Sequence, residues 1–253
     1  MKPFFLIFFL SGIISISAQT PSGMSFVKGG SYLYAHKDRN VDFSQNVVIP
    51  DLYVDQTEVT LADFEKFVKD TQFVTEAEKA GEAPVMGGDK VKGVHWRCDE
   101  RGKIRSPKDY AQYPVGYITQ KEAAAYAQWA GKRLPTEAEW EWAFREGRQS
   151  TYSYSGSNDV LSVAAYGDRV TKTPKIKSRK PNALGIYDMS GSLSEMTSSP
   201  YDPSGKVYGL EAKVSKGGSW LDYITSLTYS SRATCGDFYR WYLGFRCVKE
   251  ASK

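Results

Sequence analysis

Helical periodicity in this chain of 253 residues is concentrated between residues 113 and 147, and beyond Gly147 it does not return. Thr119 with Glu122 forms a capping box, in which hydroxyl and carboxylate each satisfy an orphan N–H of the other's residue. The helix it opens runs to Ala130, and Gly131 ends it in the left-handed conformation. Thr136 with Glu139, directly after Pro135, opens a second helix that carries Trp140, Ala143 and Phe144 on one face and stops at Gly147. Earlier in the chain, Leu61, Phe64, Phe67 and Val68 behind Thr60 and Asp63 predict one amphipathic helix, and residues 75–79 a further turn. Residues 24–34 and 47–54 read as strands, the second interrupted by Pro50, and residues 81–92 read as a glycine-rich loop. Residues 151–180 look like loop, and from Lys213 onward short strands alternate with glycines. A few helices beside many short strands and long loops predict a single loop-rich α+β domain.

Residues 1–18 place Lys2 ahead of an apolar run from Phe4 to Leu10 and on to Ile16, which reads as an export signal cleaved after Ala18. The mature domain, residues 19–253, is then expected in a periplasmic or extracellular space as a soluble protein, with no further membrane span. No cysteine near the cleavage point offers a lipid attachment site. A 41% apolar and 25% charged composition supports an ordinary core, and the net charge of +4, one of which leaves with Lys2, is too small and dispersed to imply nucleic acid.

The stretch from Asn182 to Met196 carries two carboxylates, Asp188 and Glu195, around Gly191. With the carbonyls of Gly191 and Leu193 they form an oxygen set suited to a hard cation such as calcium. The same residues also fit a plain turn, with Asp188 capping it and Glu195 in solvent. No G-x-S-x-G elbow, Walker loop or dinucleotide fingerprint occurs, and two histidines, His36 and His95, exclude a three-histidine zinc site. Glu137, Glu139 and Glu141 read as capping and solvated residues rather than an acid/base pair.

Four blocks in order give the chain a family likeness. They are the run from Gly131-Lys132-Arg133-Leu134-Pro135-Thr136 through Trp140-Glu141-Trp142-Ala143, the 182–196 loop, Lys216-Gly217-Gly218-Ser219-Trp220, and Gly244-Phe245-Arg246-Cys247. Together with Phe26 to Ser31, Thr57 to Thr60 and Gly93 to Arg97, they resemble the formylglycine-generating enzyme (sulfatase-modifying factor) family over nearly the whole mature chain. The resemblance implies a compact, C-type-lectin-like α+β fold and a calcium loop at Asp188, Gly191, Leu193 and Glu195. A second family calcium site would fall near Ala165 to Asp168, but the expected asparagine is alanine and that site is not carried over.

Copper-dependent members of the family oxidise a cysteine within Cys-x-Pro-x-Arg peptides, using two cysteines two and seven positions after the aromatic of the Gly-Gly-Ser block. Those positions are Asp222 and Leu227 here, so neither copper nor formylglycine formation is expected. In the family the cysteine matching Cys247 pairs with one on the central helix, where this chain has Ala127. The resemblance therefore implies a free Cys247 and leaves Cys98 and Cys235 as the expected disulfide, the other two pairings staying open.

Around the family's substrate groove the chain has Ser219, Asp222, Tyr223, Arg232, Tyr239 and Trp241. Tyrosine, tryptophan and arginine are the side chains that dominate binding hot spots, although alternate aromatics of the last strands could equally be core. The expected partner is a protein or peptide, or else a glycan. Exported relatives without the cysteine pair occur in bacterial surface and secretion machinery, including gliding-motility lipoproteins, which implies a binding or assembly module. Two alternatives stand beside it: an oxidoreductase with a non-standard centre, for instance from His95, Cys98 and Cys235, and a lectin-like displayed ligand-binding domain.

Overall fold

The computed structural model describes residues 20–37, 42–167, 170–206, 208–209 and 211–251. The expected export signal lies outside the described residues.

The first expected strand is cut in two. Lys28 and Gly29 separate β1 (Met24–Val27) from β2 (Gly30–Lys37), because the Gly29 N–H turns aside to the Asp51 carboxylate at 2.8 Å. Pro50 likewise divides β3 (Asp42–Ile49) from β4 (Leu52–Asp55), lacking the N–H a ladder needs. Among the described residues β2 and β3 pair only with each other, from Gly30 opposite Ile49 to Lys37 opposite Asp42. Thr60 then caps α1 (Leu61–Thr71) through the Asp63 N–H, and Thr75 with Glu78 boxes α2 (Glu76–Ala80). The expected glycine-rich loop contains a short hairpin instead, β5 (Glu82–Pro84) against β6 (Lys90–Lys92), with Gly87 and Gly88 at its tip.

Both strong capping boxes form as the sequence predicts, opening α3 (Gln120–Trp129) and α4 (Glu137–Phe144). A short α5 (Val160–Val163) follows. The second half builds a four-stranded sheet in the order β10-β7-β8-β9, from β7 (Ser194–Pro200), β8 (Lys213–Lys216), β9 (Ala233–Cys235) and β10 (Leu243–Gly244). The last strand, β11 (Val248–Glu250), returns to pair with β4, so that β1-β4-β11 ties the beginning of the described chain to its end.

The two main helices anchor different parts of the core. Ala123, Tyr126 and Ala127 of α3 pack with Phe64, Phe67, Phe245 and Cys247, while Trp140, Trp142, Ala143 and Phe144 of α4 pack with Val27, Leu52 and Val248. Adjacent residues Cys247 and Val248 serve the two clusters, which binds them into one domain of the expected α+β class.

Every residue of α4 is buried, and the expectation that its glutamates are solvated is overturned. The helix is enclosed by β3, β7 and β8, so it has no solvent face. Each carboxylate is matched instead. Glu139 takes both N–H arms of Arg133 at 2.7 Å, Glu141 pairs with Arg145, and Glu137 pairs with Arg232 and Lys216. Buried charges are tolerated only when paired in this way.

Candidate functional site

The loop between Asn182 and β7 turns on three residues in the left-handed region, Asp188 (φ 59°), Gly191 (φ 80°) and Ser192 (φ 62°). Gly191 has no room for a side chain, since a Cβ there would collide with the Ala165 carbonyl. Its N–H donates to Gly217 O at 2.9 Å and the next N–H, of Ser192, donates to Ala165 O at 3.1 Å. The loop is thus pinned between the Gly217–Gly218 turn and the segment after α5.

Pinning buries its two acids. Asp188 accepts the Lys177 N–H at 2.6 Å. Glu195 receives Arg246 through two N–H groups at 2.6 and 2.7 Å and the Trp140 indole at 2.8 Å. A third carboxylate, which sequence reasoning placed only in a family block, joins them. Glu58 accepts the Leu193 N–H with Oε1 at 3.0 Å, and its buried Oε2 has no partner.

The electrostatics follow from this crowding. Burial, followed by the charges of Asp188 and Glu195, pushes Glu58 well above the ordinary carboxylate range. Burial also raises Asp188, to about 6. Arg246 is the cation among these three acids, so with all of them ionised the pocket carries two uncompensated negative charges. A divalent cation would supply that complement, and an unpartnered buried oxygen is the kind of atom such an ion satisfies. Among the described residues no three His, Cys, Asp or Glu side chains converge on one metal position. Calcium here would therefore rest on Asp188, Glu195 and carbonyls such as those of Gly191 and Leu193, with Glu58 balancing charge nearby.

The second region follows Trp220. Ser219 is buried, and both its N–H and its hydroxyl donate to Asp222 Oδ2, at 2.7 and 2.8 Å. Leu227 is fully buried and packs so close to Gly218 that a Cβ on the glycine would lie 2.9 Å from its Cδ2. What remains is a cavity of about 100 Å³ lined by Ser194, Ser215, Ser226 and Ser231 with Asp222, Lys216 and Arg232. Its walls offer oxygen and nitrogen and no thiolate.

The groove residues expected from the sequence do not form one surface. Asp222 and Arg232 share that small cavity, but Arg232 is held by Glu137 at 2.8 and 3.0 Å and by Tyr201 O at 2.9 Å. Tyr239 donates to Glu82 O at 3.3 Å and lines a separate cavity of about 700 Å³ with Lys79, Lys121 and Asp237. Trp241 is a core residue rather than a groove wall, its ring 5.5 Å from that of Trp220. Tyr223 does stand free, 85% exposed, between Leu221 (48%) and Ile224 (40%).

The expected Cys98–Cys235 disulfide is absent. All three cysteines are buried free thiols. Cys98 packs with Tyr117, Trp220 and Trp241, whereas Cys235 and Cys247 lie in the cluster around α1 and α3, so the expected pair belongs to different parts of the core. Burial raises all three thiols, Cys235 to about 12. His95 does not join Cys98 and Cys235 in a soft metal centre; its Nδ1 accepts the Arg97 N–H at 3.3 Å.

Comparison with known proteins agrees with this architecture. Residues 12–251 match the family model described as sulfatase-modifying factor enzyme 1-like domain. The formylglycine-generating enzyme of Mus musculus is 31% identical over 258 residues, covering 82% of this chain and 68% of its own. The inactive C-alpha-formylglycine-generating enzyme 2 of Mus musculus is 27% identical over 246 residues, covering 83% and 79%. The structure of PvdO from Pseudomonas aeruginosa aligns with a TM-score of 0.69 at 18% identity, over 90% of this chain and 94% of that one.

Proposed function

The chain belongs to the sulfatase-modifying factor family, and from that premise we propose that it is a member without copper chemistry, working as a calcium-stabilised binding or assembly module exported to a bacterial surface or secretion system. The observation that carries this reading is the pair of positions after Trp220. Asp222 is folded back onto Ser219 and Leu227 is sealed in the core, so neither the ligands nor the open space of a Cu(I) site remains. A relative whose name calls it inactive supports loss of the reaction within this family.

A binding role is supported by the exposed row of Leu221, Tyr223 and Ile224 beside that closed centre. Large side chains exposed together mark contact surfaces, and the partner they suit is a protein or peptide. Calcium would be held by Asp188, Glu195 and the carbonyls of Gly191 and Leu193. It would supply charge neutralisation and fix the loop that carries β7.

Two measurements on the purified mature chain test the reading. With copper, oxygen, a thiol reductant and a Cys-x-Pro-x-Arg peptide, no aldehyde is expected; turnover would overturn the loss of copper chemistry. Calorimetry should show one calcium bound with proton release, because the raised Glu58 and Asp188 carboxyls must ionise to balance the ion. In chelator, stability should fall as pH rises from the unfolded Asp value through about 6, since the folded state holds those protons more tightly than the unfolded chain. Calcium should flatten that slope. Absence of calcium binding at pH 8 would reduce the loop to a turn.

A further inference from the structure

We propose that the pocket between β2 and the face of α4 that runs from Glu137 through Glu141 to Arg145 binds a tetrahedral oxyanion, the phosphate or sulfate group of a small ester. The pocket holds about 260 Å³, room for the anion and a small organic remainder. Four successive residues of β2, Leu33 to His36, line it, and among the described residues β2 pairs with β3 alone.

The opposite wall is charged. Glu137 is answered by both N–H arms of Arg232, and Glu141 by Arg145. Lys216, which shares Glu137 with Arg232, and Arg148 therefore bring the cations of this region to four against two carboxylates. Lys216 is fully buried, donating to Tyr229 O at 2.7 Å and more distantly to Glu137 at 3.3 Å. Arg148 lies over the Tyr32 ring at 4.9 Å and, among the described residues, has no carboxylate partner.

The Arg145 Nε is a buried donor of the lining with no partner, and the Tyr34 hydroxyl makes no close hydrogen bond although Glu137 stands near enough to act on it. Water could satisfy two donors, but it would not balance two cations. A tetrahedral dianion does both, because its oxygens accept from several directions and its charge matches the surplus.

The full chain, without added calcium, is titrated calorimetrically with sodium phosphate and separately with sodium sulfate. Sodium chloride at matched ionic strength is the control. One saturable site is expected for at least one of the two oxyanions, and the tighter of them identifies whether a phosphoryl or a sulfuryl group is the natural head. Arg148→Ala, at an exposed position, should weaken binding by about tenfold, the loss of one charge-assisted contact, and Tyr34→Phe by roughly threefold, with circular dichroism unchanged in both. Arg179→Ala, in a different basic cavity with Lys172 and Lys175, should leave affinity unaltered. The proposal is overturned if neither oxyanion binds above the chloride control, if Arg148→Ala and Tyr34→Phe bind like the parent, or if Arg179→Ala loses binding equally.

Discussion

Replacing Arg246 with Met tests the central electrostatic claim, that one guanidinium holds together a buried group of three acids. The side chain is fully buried and makes four hydrogen bonds: two to Glu195, one to Asp55 O at 3.0 Å and one to Tyr187 O at 2.7 Å. Methionine retains much of the stem and none of the donors. Glu195 would keep only the Trp140 indole, beside Glu58 and Asp188. Removing one partner of such a buried pair costs about 3–5 kcal/mol, and in a domain of this size each kcal/mol lowers Tm by roughly 2–4 °C. Urea unfolding in chelator at pH 8 measures the loss directly.

Two further readouts isolate the charge from mere packing. The loss should shrink at pH 5, where Asp188, raised to about 6, takes up its proton, and Glu58, pushed well above the ordinary carboxylate range by burial, adds to the same trend. The Tm increment from calcium should be larger in Arg246→Met than in the parent, because the ion then faces the acids alone. A loss below about 1 kcal/mol, the worth of an exposed pair, would refute the claim that Arg246 balances this pocket. A loss unchanged by pH would mean that its role is packing.

Thiol titration in denaturant without reductant should find three free thiols per chain, and the native protein should show none reacting quickly, since all three are buried with raised pKa values; recovery of one thiol would restore the disulfide. Gly191→Ala should destabilise by at least about 1 kcal/mol from its positive φ alone, with more from collision with the Ala165 carbonyl, and a melting temperature equal to the parent's would contradict the packed loop.

Sequence alone determined the features that depend on a few neighbouring residues. The capping boxes at Thr119 and Thr136, the caps at Thr60 and Thr75, the break at Pro50 and the left-handed Gly131 and Gly191 are decided within a turn or two of chain, by hydrogen bonds and steric limits that travel with the residues. The α+β class could be read from those local signals together with the family blocks.

Only the tertiary structure decided how charges and thiols are spent. Nothing near Glu137 in sequence announces Lys216 or Arg232, which lie 79 and 95 residues away, and without them its helix position reads as solvated. Glu58 looked like one residue of a helix entry until the loop around Asp188 closed over it and left an oxygen without a partner. Cysteine counting left the pairing open, the family likeness favoured Cys98 with Cys235, and the core places those two apart. The physical reason is common to all three. The free energy of a charge or a thiol is set by the dielectric and the partners around it, and those are supplied by segments that become neighbours only when the chain has folded.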